Sequence, residues 1–212
     1  MFITFEGIDG SGKSTHVALV AEWLQQQGLS VRVFREPGAT PLSEAIRSIL
    51  LDGRHRISPV AELFLFCAAR RQLVEEALRP ALARGEVVIC DRYADSTIAY
   101  QGYGRMLDLA MVERVIGYAI EEVVPDVTFI LDLDVNTALS RRGDRASVSA
   151  DRMEDAPVAF FERVRAGYRA IAERHPERVV LLDATQPVEV LQHHIRGILT
   201  ARLRVSSSAV VR

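Results

Sequence analysis

The residues best suited to chemistry lie near the start of the chain, where positions 7–14 read GIDGSGKS. An apolar run at residues 2–6 precedes them and predicts a short buried strand, and a helical pattern follows to about residue 27. Strand, glycine-rich loop and helix start together form the setting of the G-x-x-x-x-G-K-[ST] phosphate-binding loop. Its backbone N–H groups curl around phosphate oxygens, and the helix adds its positive dipole end. We therefore expect a nucleoside triphosphate site, although a glycine turn that merely packs is the alternative.

Two side chains of this loop have separate expected roles. Lys13 should reach the outer phosphates, and the Ser14 hydroxyl should coordinate Mg²⁺. Lys13 is also the only lysine among the 26 Lys and Arg residues. That composition suggests a position where a compact ammonium is needed, although a single lysine also arises by chance. The residues of the loop predicted to contact ATP are Gly7, Gly10, Ser11, Gly12, Lys13, Ser14 and Thr15.

A phosphate loop of this kind works with a second carboxylate, which stands at the end of a buried strand and holds the water shell of the metal. Two aspartates fit this description: Asp91 follows an apolar run, and so does Asp132. We favour Asp91, because the adjacent Arg92 suits a sheet edge that handles phosphate. Asp132 fits a strand end or helix start at least as well, since aspartate commonly caps helices.

The positions of the arginines, rather than the overall charge, indicate a second phosphate. Arg35 and Arg92 each end a predicted strand on the edge that carries the phosphate loop, so two guanidiniums could bind a monoester phosphate. Phe66 and Arg70 are four residues apart on a predicted helix, where an aromatic ring and a planar donor on one face could hold a base. A core phenylalanine and a surface arginine are the commoner arrangement for this spacing.

Residues 142–154 are the least apolar and most arginine-rich stretch, and they interrupt a regular alternation of strands and helices. Such a segment could close over the donor as a lid, neutralise charge on the transferred phosphoryl group and keep water away. An exposed polar loop with solvated arginines explains the composition equally well.

The remaining pattern predicts an α/β fold. Strands are expected at residues 2–6, 31–34, 86–90, 127–133 and 178–182. Helices are expected at residues 13–27, 41–51, 59–78, 109–124, 135–141, 157–175 and 187–199, with a loop or short helix around 96–101. This alternation implies a parallel sheet that is covered on both faces. We expect a single domain, residues 1–212, with a frayed tail at 205–212.

The bulk composition narrows the class of protein. A formal net charge of −2 gives no electrostatic reason to expect nucleic-acid binding. Cys67 and Cys90 lie in apolar runs and are typical of buried thiols in a reducing compartment. The chain starts directly with a strand, so no signal peptide is expected, and no apolar run approaches the roughly 20 residues of a membrane span. We therefore expect a cytoplasmic protein without membrane or nucleic-acid partners.

Several motifs occur in an order that resembles the bacterial thymidylate kinase family over essentially the whole chain. They are FEGIDGSGKS at 5–14, REPG at 35–38, FCAAR at 66–70, DRY at 91–93, ST at 96–97, YQ at 100–101, DRME at 151–154 and DATQ at 183–186. The phosphate loop is shared by many enzymes, whereas REPG together with DRY carries most of the specificity. The resemblance implies a P-loop NTPase three-layer sandwich: a five-stranded parallel sheet with helices on both faces and a short mobile lid at about 142–155.

The family transfers the γ-phosphate of ATP to dTMP, giving dTDP, with Mg²⁺ as cofactor. By motif, the resemblance implies that Phe66 stacks on thymine and that Arg70 donates to a base carbonyl. The other implied dTMP contacts are Thr97 and Gln101 on the base, Tyr100 at the 2′ position of the sugar, Asp9 near sugar and phosphate, and Arg35 and Arg92 on the phosphate. The implied metal site is Ser14 with Asp91, and Lys13, Arg92 and Asp9 belong to the implied catalytic set.

The phosphate loop here offers Asp9, Gly10 and Ser11 where some family members carry a catalytic arginine. The resemblance therefore implies an arginine from the lid, first Arg152 and second Arg145. Arg141 or Arg142 would lie against adenine, opposite a loop that includes Thr185, and Arg145 is a further implied ATP contact. The family is usually homodimeric. Two other functions stay open: a P-loop kinase for another nucleotide or a small metabolite, and a nucleotide-gated binding switch.

Overall fold

The computed structural model describes residues 1–143, 152 and 156–209. In this part of the chain, five parallel strands form one sheet in the order β2-β3-β1-β4-β5. The strands are β1 (Phe2–Glu6), β2 (Val31–Arg35), β3 (Val87–Asp91), β4 (Val127–Asp132) and β5 (Val179–Asp183). Each lies within one residue of its predicted bounds, and the predicted five-stranded parallel sheet is confirmed.

Burial follows the position of each strand in the sheet. The central strand β1 is buried at every residue, whereas the edge strands β2 and β5 have exposed positions. Continuous apolar runs are typical of parallel strands that helices cover on both faces. Because the strands are parallel, their carboxyl ends lie along one edge, where Asp91 pairs in register with both Phe5 and Arg35. This edge carries the candidate site.

Helices pack on the sheet in two groups. The helices are α1 (Lys13–Gln26), α2 (Pro41–Leu51), α3 (Pro59–Leu73), α4 (Arg79–Ala83), α5 (Ala94–Thr97), α6 (Leu109–Ile120), α7 (Val135–Gly143), α8 (Val158–Arg174) and α9 (Val188–Ala209). A π-helical turn, Val74–Leu78, joins α3 to α4, so the long helix predicted from Pro59 is present with a local change of winding. α1 packs against α9, and α3 packs against α2 and α6, which gives the three-layer architecture.

Residues 94–104 are helical throughout, where the sequence left a loop or short helix open. α5 continues directly as a π-helical segment, Ile98–Gly104. Gly104 permits the close approach of α8, because a Cβ there would lie 2.6 Å from the ring of Phe160. The helical winding puts Thr97 and Gln101 on the same cavity wall.

The last helix is longer than expected. The sequence predicted its end at about residue 199 and a frayed tail from 205, but the backbone is helical through Ala209. The predicted helix end is therefore wrong, whereas fraying of the tail stays a prediction. No Pro or Gly falls between residues 198 and 209, so the local sequence contains no helix-terminating residue. Residues 210–212 lie outside the described part of the chain.

Cys67 and Cys90 are buried and unpaired, which confirms the expectation of free thiols in the core. Among the described residues, no helix is both long enough and apolar enough to cross a bilayer. Of the predicted lid, 142–155, the described residues include Arg142, Gly143 and Arg152, and Arg145 lies outside them.

Candidate active site

The loop between β1 and α1 has the backbone conformation that phosphate binding requires. Gly7, Gly10 and Gly12 have φ angles of 133°, 86° and 94°, which L side chains rarely adopt. At Gly10 a Cβ would also lie 2.4 Å from the carbonyl oxygen of Ala138. Among the residues that the structure describes, no side chain caps the start of α1, so an anion can accept from the N–H groups of its first turn.

Lys13 and Ser14 stand at the first turn of α1. The Lys13 ammonium is buried, donates to the carbonyl oxygen of Ile8 at 3.1 Å and lies 3.7 Å from the Asp9 carboxylate. Burial lowers the pKa of Lys13, and the nearby positive charge of Arg92 lowers it further. The Ser14 hydroxyl donates to Asp91 Oδ2 at 2.8 Å. A hydroxyl and a carboxylate are hard oxygen donors of the kind Mg²⁺ prefers, so this pair fits the expected metal.

Asp132, the alternative metal carboxylate, has other partners. Arg165 Nε donates to Asp132 Oδ1 at 2.7 Å, and Arg169 donates to Oδ2 at 2.6 Å. Partial burial works to raise the pKa of Asp132, but hydrogen bonds from the two arginines hold it below its ordinary value. This carboxylate is therefore neutralised by α8 instead of facing the phosphate loop.

A cavity that is partly open to solvent adjoins the loop. It is lined by Asp9, Glu36, Pro37, Arg47, Leu51, Phe66, Arg70, Arg92, Ser96, Thr97, Tyr100 and Gln101. Seven of the eight residues predicted to contact the acceptor nucleotide are in this set, all except Arg35. Phe66 is half-buried in the wall, so it is neither a core residue nor a surface one.

Arg70 is held rigidly in the floor of this acceptor cavity, which excludes the expected alternative of a surface arginine. Its side chain is 2% exposed, and Nε donates to Glu36 Oε2 at 2.7 Å. The remaining nitrogens donate to the Thr97 hydroxyl at 2.8 Å and to the carbonyl oxygen of Tyr93 at 3.0 Å. Burial raises the pKa of Glu36, while Arg70 acts against this increase. Glu36 Oε1 is buried and has no hydrogen-bond partner among the described residues.

Arg92 connects the acceptor cavity to the phosphate loop. It directly follows β3 with a φ of 71°, a left-handed conformation that is unusual for arginine and typical of strained functional sites. Its guanidinium donates to Asp9 Oδ1 at 2.7 Å and to the hydroxyls of Tyr100 and Tyr168 at 3.3 and 3.2 Å. The guanidinium carbon lies 5.1 Å from the centre of the Tyr100 ring, a cation–π distance.

Sequence reasoning missed the buried carboxylate beneath Arg92. Glu6, the last residue of β1, is fully buried and accepts from the Tyr93 N–H at 2.7 Å, from Tyr168 at 3.1 Å and from Ser96. Burial and the nearby Asp95 charge raise the pKa of Glu6 to about 7, against the opposing effect of Ser96 and Arg92. Ser96 and Tyr168 also accept from Arg92, so Glu6 supports that guanidinium through two hydroxyls.

A second cavity contains the phosphate loop and shares a wall with the first. It is lined by Asp9, Gly10, Gly12, Lys13, Ser14, Thr15, Arg35, Glu36, Arg47, Asp91 and Arg92. Asp9, Glu36, Arg47 and Arg92 line both cavities. We call this second cavity the donor cavity. Arg35 lines it, and the Arg35 guanidinium pairs with the Glu44 carboxylate at 3.0 Å. Arg47, which belongs to no motif recognised in the sequence, adds a further cation to the shared wall.

The predicted adenine and lid residues are placed in two different regions. Arg141 donates to the carbonyl oxygen of Ala184 at 3.4 Å, so it lies against the loop that contains Thr185. Arg152 contacts α2 and α3: it donates to the carbonyl oxygen of Leu50 at 2.9 Å and to Glu62 Oε2 at 2.6 Å. These contacts place Arg152 on the acceptor side rather than beside Lys13, and its catalytic role stays a prediction.

The phosphate loop lies at the edge of a parallel sheet and shares a wall with a cavity that holds arginines and an aromatic ring. This combination defines a P-loop phosphotransferase with a small acceptor. A family model described as Thymidylate kinase matches residues 5–195, and the chain belongs to this family.

Individual relatives agree with this membership. A thymidylate kinase of Chlorobium chlorochromatii (strain CaD3) is 48% identical over 220 residues, which cover 100% of this chain and 99% of the relative. One of Exiguobacterium sp. (strain ATCC BAA-1283 / AT1b) is 43% identical, with 96% of each chain covered. The crystal structure of thymidylate kinase from Ehrlichia chaffeensis superposes with a TM-score of 0.76 at 36% identity, covering 94% of this chain and 98% of that one.

Proposed function

We propose that the two adjoining cavities hold ATP and dTMP end to end, and that the chain transfers the γ-phosphate of ATP to dTMP, giving dTDP and ADP. Membership of the thymidylate kinase family supports this reaction. The observation that carries the arrangement is the shared wall, because Asp9, Glu36, Arg47 and Arg92 face both cavities. Two phosphate chains that meet at this wall would be aligned for direct transfer, which makes most of the catalysis a matter of positioning and charge neutralisation.

On the donor side, the N–H groups of the phosphate loop hold the ATP phosphates, and Lys13 neutralises the outer ones. Lys13 is buried and already close to Asp9, so little reorganisation is needed when the phosphates arrive. Ser14 and Asp91, whose side chains are 2.8 Å apart, would hold Mg²⁺. When bound, the ion supplies charge neutralisation on the phosphate oxygens. Arg141 and the loop at Thr185 would contact adenine, and the hydrogen bond from Arg141 to the carbonyl oxygen of Ala184 supports this.

On the acceptor side, the cavity offers each class of contact that a nucleoside monophosphate needs. Phe66 provides the aromatic face for the base, and Arg70 provides a donor that three fixed hydrogen bonds orient. Thr97 and Gln101 line the base region. Tyr100 lines the same cavity, and its hydroxyl accepts a hydrogen bond from Arg92. Arg92 and Arg35 would then bind the phosphate, with Asp9 between sugar and phosphate.

The family resemblance also supports a lid. Residues 142–155 would close over the donor, and an arginine of this lid would stabilise the transferring phosphoryl group; Arg152 is the first candidate and Arg145 the second.

The family resemblance further supports a homodimer. Val60 and Phe64, four residues apart on α3, and Tyr118 on the adjoining α6 are exposed and would be covered by a second copy. Light scattering after size exclusion tests the dimer, and Phe64→Asp should weaken it.

The test of the proposed function is an acceptor profile. Purified protein with Mg-ATP should convert dTMP to dTDP, with dUMP, dCMP, dGMP and UMP compared at equal concentrations. Lys13→Ala, purified in the same way, controls for a contaminating kinase. Inactivity with dTMP alongside turnover of another monophosphate would reassign the substrate. A nucleotide-gated switch would hydrolyse ATP slowly and give no heat on titration with dTMP.

A further inference from the structure

A buried carboxylate on α3 has no role in the mechanism outlined so far. Glu62 is fully buried, although glutamate is rarely buried unless it is paired. Its Oε1 accepts from Gln101 Nε2 at 2.9 Å and from Arg105 Nε at 3.0 Å, and its Oε2 accepts from Arg152 at 2.6 Å. Glu62 lies one helical turn before Phe66 and two turns before Arg70, so it shares the face of α3 that carries these two residues of the acceptor cavity.

The contact with Glu62 determines which end of the Gln101 amide faces the base. An ionised carboxylate only accepts hydrogen bonds, and two guanidiniums keep Glu62 ionised. The amide must therefore present Nε2 to Glu62, which turns Oε1 in the opposite direction. Gln101 lines the acceptor cavity, and within the described part of the chain its Oε1 accepts no hydrogen bond. Gln101 therefore presents a hydrogen-bond acceptor, not a donor, to the cavity.

We propose that Glu62 is a specificity-determining positioning residue, which orients the Gln101 carboxamide so that Oε1 accepts from the ring N–H of a pyrimidine base. This role rests on the proposed function. Thymine carries a proton on N3, whereas the N3 of cytosine carries a lone pair. A fixed hydrogen-bond acceptor binds the N3–H of thymine and repels the N3 lone pair of cytosine. The site thus selects thymine both by a favourable contact with it and by an unfavourable contact with cytosine.

Glu62→Gln is the informative substitution because it should turn the Gln101 amide round. The new side chain has a single oxygen, and Arg105 and Arg152 both donate to Oε2 of Glu62, at 3.1 and 2.6 Å. With that oxygen committed to the arginines, the new NH₂ group faces Gln101 and requires the Gln101 oxygen as its acceptor. The Gln101 NH₂ group then faces the cavity, where it matches the unprotonated N3 of cytosine.

The experiment measures kcat/KM for dTMP and dCMP, with Kd by calorimetry where dCMP turnover is too slow. In Glu62→Gln the dTMP:dCMP ratio should fall about tenfold or more, mainly through KM. Arg70 is unchanged in every variant, so its own contribution to the preference cancels. Arg105→Gln is the matched control: it disturbs the same buried charge cluster but leaves the Glu62 carboxylate bonded to Gln101, so the ratio should be unchanged.

Exchanging the two groups provides a rescue. In the double variant Glu62→Gln with Gln101→Glu, the NH₂ group at 62 faces a carboxylate at 101, which again offers an acceptor to the base, and the ratio should recover. Should Glu62→Gln fail the thermal-unfolding check, Glu62→Asp keeps the charge for the arginines but withdraws it from Gln101, and the ratio should fall in the same direction.

An unchanged ratio in a folded Glu62 variant of an active enzyme would overturn the positioning role. A ratio that falls equally in Arg105→Gln would do the same, because it would reveal general destabilisation of the cluster. Absence of dTMP turnover in the wild-type protein is a separate result: it would overturn the proposed function, and the substrate named here with it.

Discussion

Replacing Glu6 by glutamine should change how the free energy of unfolding depends on pH. Glu6 is fully buried, and its pKa is raised from 4.5 to about 7, first by burial and then by Asp95. The folded state therefore holds a proton between these values that the unfolded state has already released. The contribution of Glu6 to stability is largest below about pH 4.5 and is lost as the pH rises towards 7.

The size of this effect follows from the two pKa values. Within the window, the contribution of Glu6 to the free energy of unfolding falls by roughly 1.4 kcal/mol per pH unit, and between pH 5 and pH 8 the loss amounts to roughly 2 to 3 kcal/mol. Glutamine has no proton to release, so this loss is absent from Glu6→Gln. The amide also fits the site: Oε1 can accept from the Tyr93 N–H, and Nε2 can donate to the hydroxyls of Ser96 and Tyr168.

The assay is urea unfolding of both proteins in half-unit steps from pH 5 to pH 8 at constant ionic strength. Contributions from all other titrating groups cancel in the difference between wild type and variant. That difference should shift in favour of Glu6→Gln by roughly 2 to 3 kcal/mol as the pH rises. Glu189→Gln, which alters an exposed carboxylate on α9, is the control and should give a flat difference. Parallel stability curves for wild type and Glu6→Gln would refute the reasoning.

Four further substitutions have distinct expected outcomes. Lys13→Ala should lower kcat by at least about 10²-fold with an unchanged circular dichroism spectrum, since it removes charge neutralisation at the phosphates. Arg70→Ala should raise the KM for dTMP and lower the unfolding free energy by about 3–5 kcal/mol, because Glu36 would be left buried without its cation. Gly10→Ala should weaken ATP binding measured by calorimetry, since the φ of 86° and the 2.4 Å approach to a backbone carbonyl both exclude a methyl group. Arg152→Ala should lower kcat with less effect on nucleotide affinity in steady-state kinetics, and an intact kcat would remove it as the lid arginine.

Local sequence patterns predicted most of the fold because the signals are themselves local. Apolar runs placed all five described strands, and the phosphate loop was recognised from eight consecutive residues. The ends of the helices were harder to predict from the sequence. The residues after Leu199 contain no terminating residue, yet the predicted helix ended there, whereas the backbone is helical to Ala209. Position near the end of a chain does not distinguish a continuing helix from an irregular segment.

The groups that the sequence did not reveal owe their surroundings to distant parts of the chain. In the sequence, Glu62 is typical of an exposed glutamate on a helix. Only the tertiary fold brings Gln101 and Arg105, from a segment some 40 residues away, into contact with it. Glu6 is buried because Ser96 and Tyr168, from two other elements, close over it. A charged residue at an apparently unremarkable position carries no signal of burial, since its environment is set by tertiary packing.

The presence of one lysine has a practical consequence for chemical labelling. An amine-acylating reagent can modify a single side chain in this protein, and that side chain lies in the phosphate loop. Because burial lowers the pKa of Lys13, a larger share of the group is the reactive free amine. Intact-mass spectrometry would therefore report occupancy of the donor cavity directly, with the side-chain adduct forming in the empty protein and suppressed when a nucleotide covers it.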